Sequence, residues 1–193
     1  MVRRSLVISF LLLAAMALPM SASQFVELPF DQVAREATLV VRASVGPVTS
    51  AWNDAHDIIF STARLEVKGY LAGEGPSVLM LREVGGTVDG YTQEAVGFPT
   101  LREGQEVVLF LSKWEDNNDW RIHAYNQGKY IVREVRNREL VMHDPITQGD
   151  ERTPSGPRVR SNAVEEAAAL GIDELEQMVR AARQAQSEGP RSH

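Results

Sequence analysis

Hydrophobic and polar positions alternate most cleanly over DIIFSTARLEVKGYL, residues 57–71. Ile59, Ala63, Leu65 and Val67 take one phase, and Phe60, Thr62, Arg64, Glu66 and Lys68 take the other. A period of two predicts a strand with one face buried and one wet, as in an antiparallel sheet. TLVVRASVGPVTSAW, residues 38–52, is rich in β-branched residues, and its Gly46-Pro47 step predicts a bulge or bend. SVLMLREV, GQEVVLFLSKW, WRIHAY, GKYIVREV and NRELVMH extend the series to about seven strands, with turn signals spaced as all-β domains space them. NDAH, AGEGP, EDNND, Asn126-Gln127-Gly128 and Arg136-Asn137 are the turns between them. The spacing points to a closed or partly closed antiparallel barrel, or to a sandwich.

The helical period shows at the two flanks. In FVELPFDQVAREA, residues 25–37, Phe30, Val33, Ala34 and Ala37 share a face, with Asp31 as the expected N-cap. In AVEEAAALGIDELEQMVRAARQAQ, Gly171 divides a short helix from a longer one. Asp173 and Glu176 have capping-box spacing, and Leu175, Met178, Val179 and Ala182 lie on one face. The stretch before this segment holds three prolines and few apolar residues, which reads as a linker.

The first residues are not fold. Arg3 and Arg4 precede an apolar run, then small residues with Ser21 and Ser23, which is the order of a secretory signal peptide. The run is short against the roughly 20 residues of a membrane span. The expected organisation is a signal peptide at 1–23, a β-barrel domain at 24–143, a linker at 144–162, a C-terminal helical segment at 163–187 and a tail at 188–193. Cleavage after Ser23 leaves 18 basic and 26 acidic residues, a net charge of −8. That balance argues against nucleic acid and anionic lipid as partners, because both call for clustered cations. There is no cysteine, so disulfides, thiol nucleophiles, thiolate metal sites and c-type haem attachment are excluded. An exported chain without cysteine fits a bacterial export route.

No cofactor site is expected. The loop at 85–104 carries Gly85, Gly86 and Gly90 close together, but it lacks the Lys-Ser/Thr of a P-loop and the helix start of a dinucleotide fingerprint. Its glycines fit backbone turning with positive φ. The EDNND loop fails the calcium-loop pattern, because Trp120 stands where an oxygen ligand is needed. Asp54, His56 and Asp57 are read as a solvated turn. No nucleophile-elbow or zinc-helix motif is present, and His56, His123 and His143 have no sequence partner that singles them out. Loops of the length of 85–104 often contact partners. Aromatics beside polar loops can stack on sugars or clamp a peptide. The candidate partner-binding residues are therefore Gly85, Gly86, Gly90, Tyr91, Phe98, Trp114 and Trp120, with Trp114 and Trp120 expected to pair across the EDNND hairpin.

Five segments carry a resemblance. They are a strand ending at Val67-Lys68-Gly69, the Gly85-Gly86 pair, GFPTLREGQ at 97–105, VLFL at 108–111 and QGKY at 127–130. In this order they resemble a group of secreted bacterial proteins of unknown function, over residues 37–135. The resemblance implies an antiparallel Greek-key barrel of the OB type, similar to the inhibitory domain of tissue inhibitors of metalloproteinases, with a short N-terminal helix and a C-terminal helix. Those inhibitors chelate zinc through an N-terminal cysteine, which this chain lacks, so their mechanism does not carry over. The expectation is a non-enzymatic exported protein that binds another protein or an envelope polymer. The alternatives are a hydrolase with an unrecognised site and a structural accessory that docks through its C-terminal helix.

Overall fold

The computed structural model describes residues 27–95, 97–115, 119–143 and 169–187. The expected signal peptide and linker, most of the helix expected before Gly171, the expected tail and the tip of the EDNND loop at 116–118 lie outside the described residues. The fold is mainly β with a helix at each end. The elements are α1 (Phe30–Glu36), β1 (Leu39–Trp52), β2 (Ile59–Ala72), β3 (Val78–Val84), β4 (Gly86–Val88), β5 (Tyr91–Gln93), β6 (Glu106–Lys113), β7 (Trp120–Ile122), a 3-10 turn (Tyr125–Gly128), β8 (Lys129–Val135), β9 (Arg138–His143), β10 (Leu170–Gly171) and α2 (Ile172–Ser187). Eight strands form one sheet in the order β1-β2-β3-β7-β6-β8-β9-β10, and β1 also pairs with β6. β4 and β5 form a separate two-stranded hairpin.

All pairings are antiparallel except β3–β7, which is parallel and registers a single pair, Leu81 with Trp120. The Gly46-Pro47 step is a bulge as expected: the register jumps from Val45–Leu65 to Val48–Ala63. β2 alternates as the sequence predicts, with Ile59, Ala63 and Leu65 buried.

Two apolar clusters explain why β6 and the first residues of β1 are buried without alternation. On the inner side, Leu39, Val41, Ala43 and Val45 of β1 meet Val107, Leu109 and Leu111 of β6, with Leu65, Leu81 and Ile122. On the outer side, Val40, Val108 and Phe110 are covered by Val33 and Ala34 of α1 and by Leu175 and Val179 of α2. Strands buried on both faces read as unbroken apolar runs, which VVLFL is. Each fully buried Leu or Phe here contributes on the order of 1.5–3 kcal/mol.

The helices differ from expectation at their ends. The N-cap of α1 is Pro29, whose carbonyl accepts from the Gln32 and Val33 amides at 2.9 and 3.1 Å; Asp31 lies inside the first turn and pairs with Arg35 at 2.5 Å. Arg183 of α2 donates to the Ala34 and Ala37 carbonyls at 3.0 and 2.5 Å, so one helix closes the orphan end of the other. Glu176 pairs forward with Arg180 instead of turning back to form a capping box. Leu170 and Gly171 pair with Val141 and Leu140 before α2 begins, which sets its start. Met178 lies at the margin of the apolar face, 36% exposed.

WRIHAY is strand only as far as Ile122. Ala124 and Tyr125 both have positive φ (55° and 56°), and the chain leaves the ladder there for the 3-10 turn. The 85–104 segment is not a plain connection, since it folds back as β4–β5 through Asp89 and Gly90, with φ of 50° and 82°. Positive φ at both central residues suits a two-residue hairpin, and Asp-Gly supplies it at little cost.

Candidate functional site

The seven candidate residues fall in separate places. Gly85 and Gly86 tie the β4–β5 hairpin to the β1–β2 pair. The Gly85 amide donates to the Ile59 carbonyl at 2.8 Å, and Ser61 Oγ donates to the Gly85 carbonyl at 2.7 Å. A side chain at Gly86 would collide with the hydroxyls of Ser50 and Ser61, so its absence permits the close approach. Gly90 makes the turn, and Tyr91 beside it is 70% exposed, edge-on to Trp52 at 6.3 Å. Trp52 in turn stacks on His56 at 5.5 Å. Phe98 packs edge-on against Tyr125 at 4.8 Å.

Trp114 and Trp120 do not pair across the hairpin. Trp120 registers with Lys113 and turns toward the inner cluster, with Lys113 Nζ 3.8 Å from its ring centroid. Trp114 is one residue further along β6's direction and takes the opposite face, because neighbouring positions alternate. There its Nε1 donates to the Arg82 carbonyl at 3.0 Å.

On that outer face the structure assembles a group that sequence reasoning missed. The Phe60 and Trp114 rings meet edge-on at 6.5 Å. The Arg82 guanidinium lies 4.0 Å from the Phe60 centroid, and that of Arg121 lies 4.6 Å from the Trp114 centroid. β2, β3 and β7 bring one member each, and Trp114 follows directly after β6. All four side chains are half-buried, so the cations are held in place while the group faces solvent. Asp119 reaches Arg82 only at 3.4 Å. The sequence did carry one signal: Phe60 is an aromatic in the polar phase of β2.

Titratable groups inside the fold are of another kind. Glu83 continues the inward phase of Leu79 and Leu81 and is 6% exposed. It accepts the Ile122 amide proton, and burial pushes its carboxyl up to about 8 against the smaller opposing effects of that hydrogen bond and of Arg121. Lys129, fully buried opposite Leu109, donates from Nζ to the Thr100 carbonyl at 2.5 Å. Burial lowers the His123 and His143 imidazoles; Glu36, 3.4 Å from His123 Nε2, only partly offsets this for His123. Among the described residues no group of three or more His, Cys, Asp or Glu side chains is placed to hold a metal.

A shallow groove of roughly 530 Å³ runs between β2, β9 and the start of α2. Its floor is an ion-pair network. Arg42 pairs with Glu106 and with Glu139, and Lys68 reaches Glu106 at 2.6 Å. The NDAHD turn is occupied by its own hydrogen bonds, Asn53 accepting from the Asp57 and Ile58 amides at 3.0 and 3.1 Å.

No family model matches this chain, and no curated protein matches it in sequence.

Proposed function

We propose that the chain is an exported, non-enzymatic binding protein, and that it engages a protein or an envelope polymer through the outer face of its sheet. The observation that carries this reading is the Phe60–Arg82–Trp114–Arg121 group. It is a shallow aromatic and cationic surface on an open face, the form a binding surface takes; a hydrolase would need convergent acids or a Ser–His pair in a deep pocket. Export rests on the order of charged, apolar and small residues at the N-terminus. The accessory reading draws no support from α2, because Leu175 and Val179 are fully buried against the chain's own sheet.

The architecture in this reading is a five-stranded OB-like barrel. The pairings β1–β2, β2–β3, β3–β7, β7–β6 and β6–β1 return to their starting strand, and the inner cluster fills the middle. β8 and β9 extend β6 outward, and the helices cover the outer side of β1 and β6. This agrees with the resemblance to secreted OB-like proteins, though fold alone carries no function.

The test is capture from the envelope and culture fluid on the immobilised protein. The expected result is a stoichiometric component that Trp114→Ala releases and the remote control Glu176→Gln retains. Retention indifferent to Trp114 overturns this face as the binding site; no retained component, together with turnover of cell-wall or polysaccharide substrates by the purified chain, overturns the reading in favour of the hydrolase. N-terminal sequencing of the exported protein should begin at Gln24.

A further inference from the structure

We propose that the outer strip binds an acidic polysaccharide, a chain of pyranose rings that carry carboxylates. This inference rests on the binding reading above and names its ligand. By register, the outward positions of the strip are 60, 62 and 64 on β2, 80, 82 and 84 on β3, 121 on β7, and 112 and 114 at the end of β6. Three of them are arginines (Arg64, Arg82 and Arg121) and none is acidic. The neighbouring carboxylates among the described residues include Glu66, paired with Arg64, Asp119, 3.4 Å from Arg82, and the exposed Glu115 next to Trp114. The strip thus gathers three guanidiniums, of which Arg121 has no ion-paired carboxylate among the described residues.

The apolar part of the strip has the complementary property. Met80 is 52% exposed beside Arg64 and Arg82, and the Phe60 and Trp114 rings are partly open. A pyranose presents a flat C–H face to such groups, and its carboxylate suits the planar donor fork of a guanidinium. Arg82 and Arg121 are already seated over rings, so little side-chain freedom is lost when a carboxylate arrives. An acidic peptide offers the carboxylates without the ring face. A nucleic-acid strand offers base rings and phosphates, but neither the flat C–H face of a pyranose nor a planar carboxylate for the guanidinium fork.

The experiment is calorimetric titration of the purified protein with polygalacturonate, using neutral dextran, polyglutamate and a single-stranded oligonucleotide as comparisons. Polygalacturonate is expected to bind at least about 10-fold more tightly than any of the three, and to weaken as salt is raised. Arg82→Gln and Arg121→Gln should each weaken it about 5-fold or more, and Trp114→Phe by less. Arg82→Lys and Arg121→Lys keep a cation over the ring but lose the fork, so intermediate weakening is expected. They decide the matter if the glutamine variants do not fold. No binding of polygalacturonate, unchanged binding in the arginine variants, or preference for polyglutamate or the oligonucleotide overturns the ligand class. If polygalacturonate fails while an envelope component still depends on Trp114, only the ligand class falls. If both fail, the binding reading falls with it.

Discussion

Charged side chains take two forms in this protein, and they are stabilised differently. Over β1, β2, β6 and β9, Arg42, Lys68, Glu106 and Glu139 answer one another at the surface. For Glu106, burial raises the carboxyl, but Lys68 and Arg42 outweigh it and the net shift is downward. Glu139 is held down first by its hydrogen bond to Arg42. Inside the sheet, Glu83 and Lys129 are anchored by backbone groups, the Ile122 amide and the Thr100 carbonyl. Glu83 also sits where the sheet is thinnest. β3 and β7 register only Leu81 with Trp120, and the Glu83 carboxyl makes the next link across that seam. The lesson is that a buried ionisable side chain here ties its strand to another segment through a backbone group, and for Glu83 burial also governs protonation.

The largest break in this comparison is expected at Lys129. Lys129→Ala should cost about 2–4 kcal/mol in urea denaturation, because it leaves a cavity and an unanswered Thr100 carbonyl. Lys129→Met keeps the volume and should cost clearly less, so equal losses from the two would show that shape matters little there.

At Glu83 the contrast is between two replacements and across pH. Glu83→Leu strands the buried Ile122 amide and should lose about 1–3 kcal/mol relative to Glu83→Gln, which can still accept it. The carboxyl holds its proton in the folded state up to about 8 and releases it near the ordinary 4.5 when unfolded. The folded state therefore binds more protons in that window, and stability falls as pH rises through it, by at most about 1.4 kcal/mol per pH unit. His123 and His143 act oppositely, with stability lost as pH falls through the ordinary imidazole value of 6.5. Between pH 6.5 and 8 the Glu83 effect should dominate, and thermal melts of Glu83→Gln should be flat where the native protein declines.

The surface network should yield smaller effects. A double-mutant cycle on Arg42 and Glu106 should give coupling on the order of 1 kcal/mol, reduced by high salt. Because the Glu106 and Glu139 carboxyls are lowered, their contribution is present above pH 4.5 and lost as pH falls below it. Smallest of all is Arg64–Glu66, whose side chains are 43% and 60% exposed. Removing either should change stability by less than about 0.5 kcal/mol, which would separate exposed pairs from the half-buried network.

Much of the fold was legible because local pattern and burial agree. The alternation of β2, the bulge at Gly46-Pro47 and the helical face of Leu175 and Val179 each follow from a period that one covered face imposes. Of the short strands, β7 was legible as the start of WRIHAY, whereas β4, β5 and β10 were not. They span two or three residues each; β4 and β5 form a hairpin inside a glycine-rich loop, and β10 is held by a strand far along the chain, Leu170 by Val141. Of the candidate site, only Trp114 was among the residues singled out in sequence, and the aromatic Phe60 in the polar phase of β2 was a further signal. Phe60, Arg82 and Arg121 come from three other strands, and no spacing in sequence links them.

Sequence alone determined the mainly β character, the flanking helices, the absence of thiol chemistry and the turning role of Gly85, Gly86 and Gly90, because each depends on residue type and near neighbours. Tertiary structure decided which face every aromatic took and which charges met. Strand register is set by long-range packing, and a shift of one residue exchanges the two faces. For that reason Trp114 and Trp120, six residues apart and alike in sequence context, ended on opposite sides of the sheet.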